Sequence, residues 1–367
     1  MSTAERRKAD WDGIFREIQQ ALNRAIERKD FILGEDVRSF ESETAAYLGV
    51  RHAIGLNSGS DAFRIALVAI GLEEGDEVIT TPFCFASDAA AVVIEGGKPV
   101  FVDIDPATCN IDVNRIPHCI TVRTKAIIPV HLYGVPVDMD PLLELTRRHN
   151  IYVIEDACQA FGATQRGKKL GSFGAFAGFS FYPTKPLGCY GDAGLITTDS
   201  DDFAKKINMI RNHGSRIKYY QERIGFSSRL DTIQAAILRV RLRYFDHILE
   251  SLSLISGMYD HGLRDIEDIA LPPRLPGVMK GFTHYTIRTK NRDELREYIA
   301  RRGIKTDVYY PLSIHLQPAF GFLGYRRGDF PESERAQAEV LSPPFDIHTT
   351  EEQVEGVCRA VREYFTR

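Results

Sequence analysis

Short apolar runs recur along the first half of the chain, and what separates them decides the fold class. The runs cover residues 53–56, 77–81, 99–104, 126–131 and 152–154. Between them lie stretches compatible with helix, at 61–70, 87–96 and 140–149. Strand, helix, strand, repeated, calls for a parallel sheet with helices on both faces. The runs are continuous rather than alternating, as strands buried on both sides require. Two further runs, 177–181 and 194–197, are separated by only 12 residues. That leaves no room for a crossover helix, so this pair is expected to be antiparallel.

The rest of the chain reads differently. Ile14, Ile18, Leu22 and Ile26 fall near helical period, which predicts an opening amphipathic helix over 11–29. Residues 201–212 and 229–251 also read as helices, the second from the Leu238, Leu242, Phe245, Leu249 spacing. Composition shifts at 270–281, where LPPRLPGVMKG holds three Pro and two Gly. A short strand at 283–289 and helices at 293–302 and 350–364 complete the chain. The expected division is a large α/β domain, 30–245, and a smaller α+β domain built from 1–29 and 246–367. A chain of 367 residues is long enough for two such cores.

Composition removes several function classes. Lys plus Arg number 46 and Asp plus Glu 50, a formal net charge of −4, so nothing marks a nucleic-acid or membrane-surface protein. Charges interrupt every apolar run well before the roughly 18 residues of a membrane span. The opening residues MSTAERRKADWDG lack an apolar leader, so a cytoplasmic location is expected. The six cysteines, Cys84, Cys109, Cys119, Cys158, Cys189 and Cys358, show no C-x-x-C spacing. They read as reduced thiols, with no metal site expected.

In sheets of this kind ligands bind beyond the carboxyl ends of the strands, so the residues after each strand carry the chemistry. Asn57-Ser58-Gly59-Ser60-Asp61 comes after the first strand and opens a helix, a place where backbone N–H groups and the helix dipole suit a phosphate. Alone, it reads equally as a plain N-cap on Ser60 or Asp61. Pro82-Phe83-Cys84-Phe85 comes after the second strand, offering an aromatic to stack on a flat cofactor or to fill the core. Glu155-Asp156-Ala157-Cys158-Gln159 comes after the fifth. A carboxylate there needs a positive partner, and a protonated ring nitrogen is one, as is an ordinary ion pair. Ser180-Phe181-Tyr182-Pro183-Thr184-Lys185-Pro186 is next. The proline after Lys185 disfavours helix, so the lysine sits in a loop. Desolvated, it is a nucleophile able to form a Schiff base; solvated, it is an edge lysine. Phosphate turn, aromatic, aspartate and lysine, in that order, fit a phosphorylated pyridine aldehyde with one group for each of its parts.

With these residues in place, a family resemblance becomes specific. The segments FILGEDVRSFESETAAYLGVRHAIGLNSGSDA, EGDEVITTPF, KPVFVDIDPATCNID, AIIPVHLYG, IEDACQAFGA, FSFYPTKPLGCYGDAG, RNHGS, SRLDTIQAAIL and YYPLSIHLQPAF cover nearly the whole chain. They resemble the pyridoxal-phosphate-dependent sugar aminotransferases of the DegT/DnrJ/EryC1/StrS family. The resemblance implies fold type I, a mostly parallel seven-stranded sheet with helices on both faces, and a homodimer with shared active sites. It implies pyridoxal 5'-phosphate as cofactor, L-glutamate as amino donor and a nucleotide-diphosphate-linked keto sugar as acceptor. The product would be an amino sugar for a surface polysaccharide or a glycosylated metabolite.

Carried over residue by residue, Lys185 falls at the cofactor-bearing lysine and Asp156 at the partner of the pyridine nitrogen. Gln159 falls near the ring hydroxyl and Phe85 on the ring face. Gly59, Ser60, Asp61 and Ser180 fall at the phosphate. A sister branch of sugar dehydratases has histidine at the lysine position, so Lys185 favours transamination. Three departures stand out: Ser227 where the family's neighbouring subunit gives the phosphate an asparagine, Cys84 where threonine is frequent, and Gly191-Asp192-Ala193-Gly194 where many members have Gly-Glu-Gly-Gly. The Pro183-to-Asp192 pattern is similar to the branch acting on 3-keto sugars. Arg229, Tyr309, Tyr310 and His315 are candidates for the substrate, although an intrasubunit ion pair for Arg229 and a structural hydrogen bond for His315 read equally well. His131 receives no role. A 4-keto acceptor and a regulatory, non-catalytic member that binds the cofactor are the alternatives.

Overall fold

A computed structural model describes residues 3–366, with side chains from residue 11 onward. The central sheet holds β1 (His52–Leu56), β2 (Glu77–Thr80), β3 (Lys98–Phe101), β4 (Thr124–Ile127), β5 (Tyr152–Asp156), β6 (Phe176–Ser180) and β7 (Gly194–Thr198). Its spatial order is β1-β7-β6-β5-β4-β2-β3. β7 runs antiparallel to both neighbours, and the remaining pairs are parallel. The short connection between β6 and β7 therefore makes the antiparallel pair that its length required.

The helices are α1 (Thr3–Arg28), α2 (Glu35–Leu48), α3 (Gly59–Ala69), α4 (Ser87–Ile94), α5 (Met139–His149), α6 (Asp201–Ile210), α7 (Thr232–Arg243), α8 (Phe245–Leu263), α9 (Arg292–Ala300), α10 (Pro331–Glu339) and α11 (Glu351–Phe365). Successive residues of a strand point to opposite faces. Ala53, Phe179 and Leu195 join one core with Phe40 of α2, Leu238 of α7 and Phe245 of α8. Ile54, Phe176 and Ile196 join the other with Phe63 of α3, Val92 of α4 and Ile207 of α6. Burying one such Phe side chain stabilises by roughly 1.5–3 kcal/mol, so the two cores hold the sheet between helix layers.

The helix expected over 229–251 is two helices. Tyr244 breaks it at φ −104° and ψ 8°, and its hydroxyl binds Glu17 of α1. Leu238, Leu242, Phe245 and Leu249 all face the same core, so the apolar spacing runs through the break. α8 then continues, placing Ile255, Tyr259 and Leu263 in a separate C-terminal core with α9 and α11. The strand expected at 283–289 shrinks to Ile287–Arg288, paired antiparallel with Val340–Leu341. Its first residues bend toward the sheet instead, where the Thr283 hydroxyl donates to the Gln159 carbonyl at 2.6 Å. α2 and α10 have no counterpart in the sequence reading. α1 sets Ile14, Ile18, Ala21 and Ala25 on Ala236, Ile237 and Val240 of α7, while Trp11 meets His348 at 5.7 Å. No helix among the described residues is long and apolar enough to cross a membrane.

Candidate active site

The carboxyl ends of β1, β5 and β6 converge. Ser180 pairs with Gly194, and Leu56 pairs with the same Gly194 from the other side. A Cβ on Gly194 would lie 2.2 Å from the Ser58 backbone, so only glycine lets the start of α3 come this close. A Cβ on Gly59 would meet Ser180 Cβ at 2.8 Å and Cys158 Sγ at 2.9 Å. The N-terminus of α3 is thus a tight cradle against Ser180. The cap is Ser58, whose Oγ accepts from the Asp61 N–H at 3.2 Å, not Ser60 or Asp61. Ser60 is exposed, and Asp61 leans toward Arg64 at 3.8 Å.

Asp156 ends β5 and is 6% exposed. Its Oδ1 accepts from the Cys158 N–H at 2.9 Å. Beneath it, Glu155 is fully buried and accepts from the N–H groups of Gly171, Phe173 and Gly174 and from His131. Burial would raise the Glu155 carboxyl, but His131 and these donors hold it below its usual range. His131, to which the sequence gives no role, takes a structural one: Nδ1 accepts from Val137 N–H, so Nε2 donates to Glu155.

Lys185 sits in a turn, its N–H donating to the Tyr182 carbonyl at 2.8 Å. Burial lowers its amine below the ordinary lysine value, against the opposing pull of Cys158 and Asp156. Phe85 is 61% exposed, its ring tilted against Tyr310 at 6.3 Å. Gln159 Oε1 accepts from Tyr133 N–H at 2.9 Å, and its Nε2 donates to the Tyr310 hydroxyl at 3.1 Å. Tyr133 in turn donates to the Tyr309 carbonyl. Helix N-terminus, buried carboxylate, open aromatic face and desolvated amine therefore share one end of the sheet. They fit the phosphate, ring nitrogen, ring face and aldehyde carbon of pyridoxal phosphate.

A cavity of about 670 Å³ opens beside Lys185. Trp11, Arg241, His284, Tyr309 and Asp346 are among its lining. Of these the sequence reading names only Tyr309; His284 and Arg241 are the two whose surroundings stand out. His284 stacks on Tyr309 at 4.0 Å, and burial, then Lys185, pulls its imidazole down to about 3. Arg241 is 9% exposed and donates to the Pro186 carbonyl at 3.0 Å; its Nε has no hydrogen-bond partner among the described residues. Neither comes directly after a strand of the sheet, so the strand-end rule passes over them. The lining includes neither Ser227 nor Arg229. Arg229 donates to Asn212 Oδ1 at 3.1 Å and to Ser227 Oγ at 2.9 Å, both neutral. His315 lies elsewhere, 2% exposed, with Nε2 3.1 Å from Glu334 and its ring edge-on to Phe330.

The sequence model of the DegT/DnrJ/EryC1/StrS aminotransferase family matches residues 13–362. The chain belongs to that family. Family members are pyridoxal-phosphate enzymes, and the groups at the sheet end suit that cofactor. A pleiotropic regulatory protein of Geobacillus stearothermophilus is 45% identical over 351 residues, 95% of this chain and 94% of its own. The dTDP-3-amino-3,4,6-trideoxy-alpha-D-glucose transaminase of Streptomyces venezuelae is 40% identical over 98% of this chain and 95% of its own. The crystal structure of S. venezuelae DesV in complex with a ketimine intermediate superposes with a TM-score of 0.95 at 40% identity, covering 98% of this chain and 97% of that one. The aminotransferase fold is thus common to both.

Proposed function

We propose that the protein moves an amino group from L-glutamate to the C3 ketone of a nucleotide-diphosphate-linked sugar. The observation that carries this reading is the desolvated Lys185 amine, set between buried Asp156 and the 670 Å³ cavity. Pyridoxal phosphate, once bound, supplies an electron sink for the carbanion of the amino donor. Asp156 keeps a proton on the ring nitrogen, and Phe85 covers the ring face. Gly59, Ser60, Asp61 and Ser180 take the phosphate at the α3 N-terminus. Lys185 Nζ, neutral more often than an ordinary lysine, takes the proton from Cα of the donor as general base and delivers it to the former aldehyde carbon as general acid. It runs the same transfer in reverse toward the sugar carbon in the second half-reaction. Gln159 orients the ring edge and is itself fixed by Tyr133 and Tyr310.

The C3 assignment is supported by the Pro183-to-Asp192 pattern and by a relative named for a 3-amino sugar. Tyr309 and Tyr310 face the sugar, and His315 holds the segment beyond them. A homodimer is supported by the exposed hairpin carrying Ile217, Tyr219 and Tyr220, with Ile224 exposed just beyond it. In that dimer Ser227 and Arg229 reach the neighbouring site, where Ser227 meets the cofactor phosphate and Arg229 a substrate anion. A second reading, a regulatory protein that holds the cofactor without turnover, is favoured by the name of the 45% identical relative.

The test is turnover with L-glutamate and a panel of 3-keto and 4-keto nucleotide sugars. A 3-amino product is expected, and Lys185→Ala should cut the rate by roughly 10²–10⁴-fold or more. Products from 4-keto sugars alone would move the assignment to C4. Bound cofactor without turnover on any member of the panel would favour the regulatory reading.

A further inference from the structure

Two carboxyl groups share one buried space at the strand-end side of the site. Asp88, in the first turn of α4, has no exposed surface and lies within hydrogen-bond reach of Asp156. The titratable groups facing the pair are Cys84 from the loop after β2, Cys158 after β5, Lys185 from the loop after β6, and Tyr310 from the C-terminal segment. Of these, only Lys185 can carry a positive charge. Ser87 Oγ lies 3.3 Å from Asp88 Oδ1, and Asp88 Oδ2 has no hydrogen-bond donor among the described residues.

Two carboxylates this close in a dry site do not both ionise, so one keeps a proton. Depth decides which one. Asp156 accepts the Cys158 N–H at 2.9 Å and lies beside Lys185. Asp88 has neither. Burial and the Asp156 charge push its carboxyl well above the usual range. A proton on Asp88 also turns two facing acceptors into a donor and an acceptor.

We propose that Asp88 is a positioning residue that carries the pair's proton and donates it to Asp156 in a hydrogen bond, leaving one oriented carboxylate for the ring nitrogen. The inference rests on the reading of Asp156 given above. Its chemical content is narrow: a neutral hydrogen-bond donor is required at position 88, and a second negative charge is not.

The test compares the unmodified protein with Asp88→Asn and Asp88→Ala. In the cofactor-free protein at neutral pH, the infrared difference between the unmodified chain and Asp88→Asn should contain the C=O stretch of a protonated carboxyl. Absence of that band overturns the proposal. With pyridoxal phosphate bound, Asp88→Asn should keep the dissociation constant within about twofold and leave the pH titration of the visible absorbance in place. Asp88→Ala should weaken binding roughly tenfold or more, the loss of one hydrogen bond to a charged group. An Asp88→Asn spectrum displaced like that of Asp156→Asn overturns the proposal, as does an Asp88→Ala protein indistinguishable from the unmodified one. If Asp88→Ala does not fold, the infrared band and the Asp88→Asn titration decide alone. Unchanged cofactor binding in Asp156→Ala would instead sink the reading of Asp156, while the infrared band would still report the acid pair.

Discussion

The lysine amine and the neighbouring imidazole are each held in the neutral form more strongly than in the unfolded chain, and the consequences have definite signs. Burial lowers Lys185, so the unfolded chain binds its proton more tightly than the folded one. Stability therefore rises with pH as that proton is lost. Lys185→Met in the cofactor-free protein should raise the thermal midpoint at neutral pH. The gain should fade as pH approaches the ordinary lysine value of 10.5. A gain that grows with pH would contradict the assigned burial. His284, pulled down to about 3 from 6.5, stays neutral in the fold while the unfolded imidazole protonates. Its contribution is present above pH 6.5 and is lost as pH falls toward 3. His284→Phe, which preserves the stack on Tyr309, should flatten the acid-side fall of the midpoint. The lysine is legible in the sequence because it lies just beyond a strand; the histidine is not, because nothing local to FTHYT announces its place beside the lysine turn.

At the scale of elements, the site depends on how closely α3 can approach β7. The Gly191-Asp192-Ala193-Gly194 run departs from the family pattern, yet its last glycine is the one with no room for a side chain. Gly194→Ala should destabilise by roughly 1–3 kcal/mol or more in urea unfolding and displace the Ser58–Gly59 turn. Weaker pyridoxal phosphate binding should accompany that loss. A variant with unchanged stability would show that the turn can retreat. Strand and helix boundaries along the sheet are readable to within a few residues, because each buried strand is a compact apolar run. The break at Tyr244 is hidden by apolar spacing that continues through it. α2 escapes the periodicity although Val37, Phe40, Thr44 and Leu48 face one side of it and Gly49 closes it at φ 72°. Charged residues separate its apolar ones, so only the family likeness marks that segment.

Across the whole molecule, the sheet end proposed for the cofactor and the cavity proposed for the substrate differ in origin. The first is built from the strand ends of one sheet, so a walk along the chain from strand to strand recovers it. The second joins α1, the lysine turn, residues 282–284 and residues 342–348, segments that only the folded chain brings together. The groups assigned to the second subunit, Ser227 and Arg229, belong to neither within one chain. Mixing Lys185→Ala with Arg229→Ala protein should recover up to about one quarter of full activity, because half of randomly re-formed dimers carry one intact site. No recovery after subunit exchange would place Arg229 in its own subunit's site.

The most direct measurement is chemical trapping. Borohydride reduction of the protein loaded with pyridoxal phosphate, then protease digestion and mass spectrometry, should find one phosphopyridoxyl group on Lys185. A label on a different lysine, or none at all, would contradict the assignment on which the reaction is built.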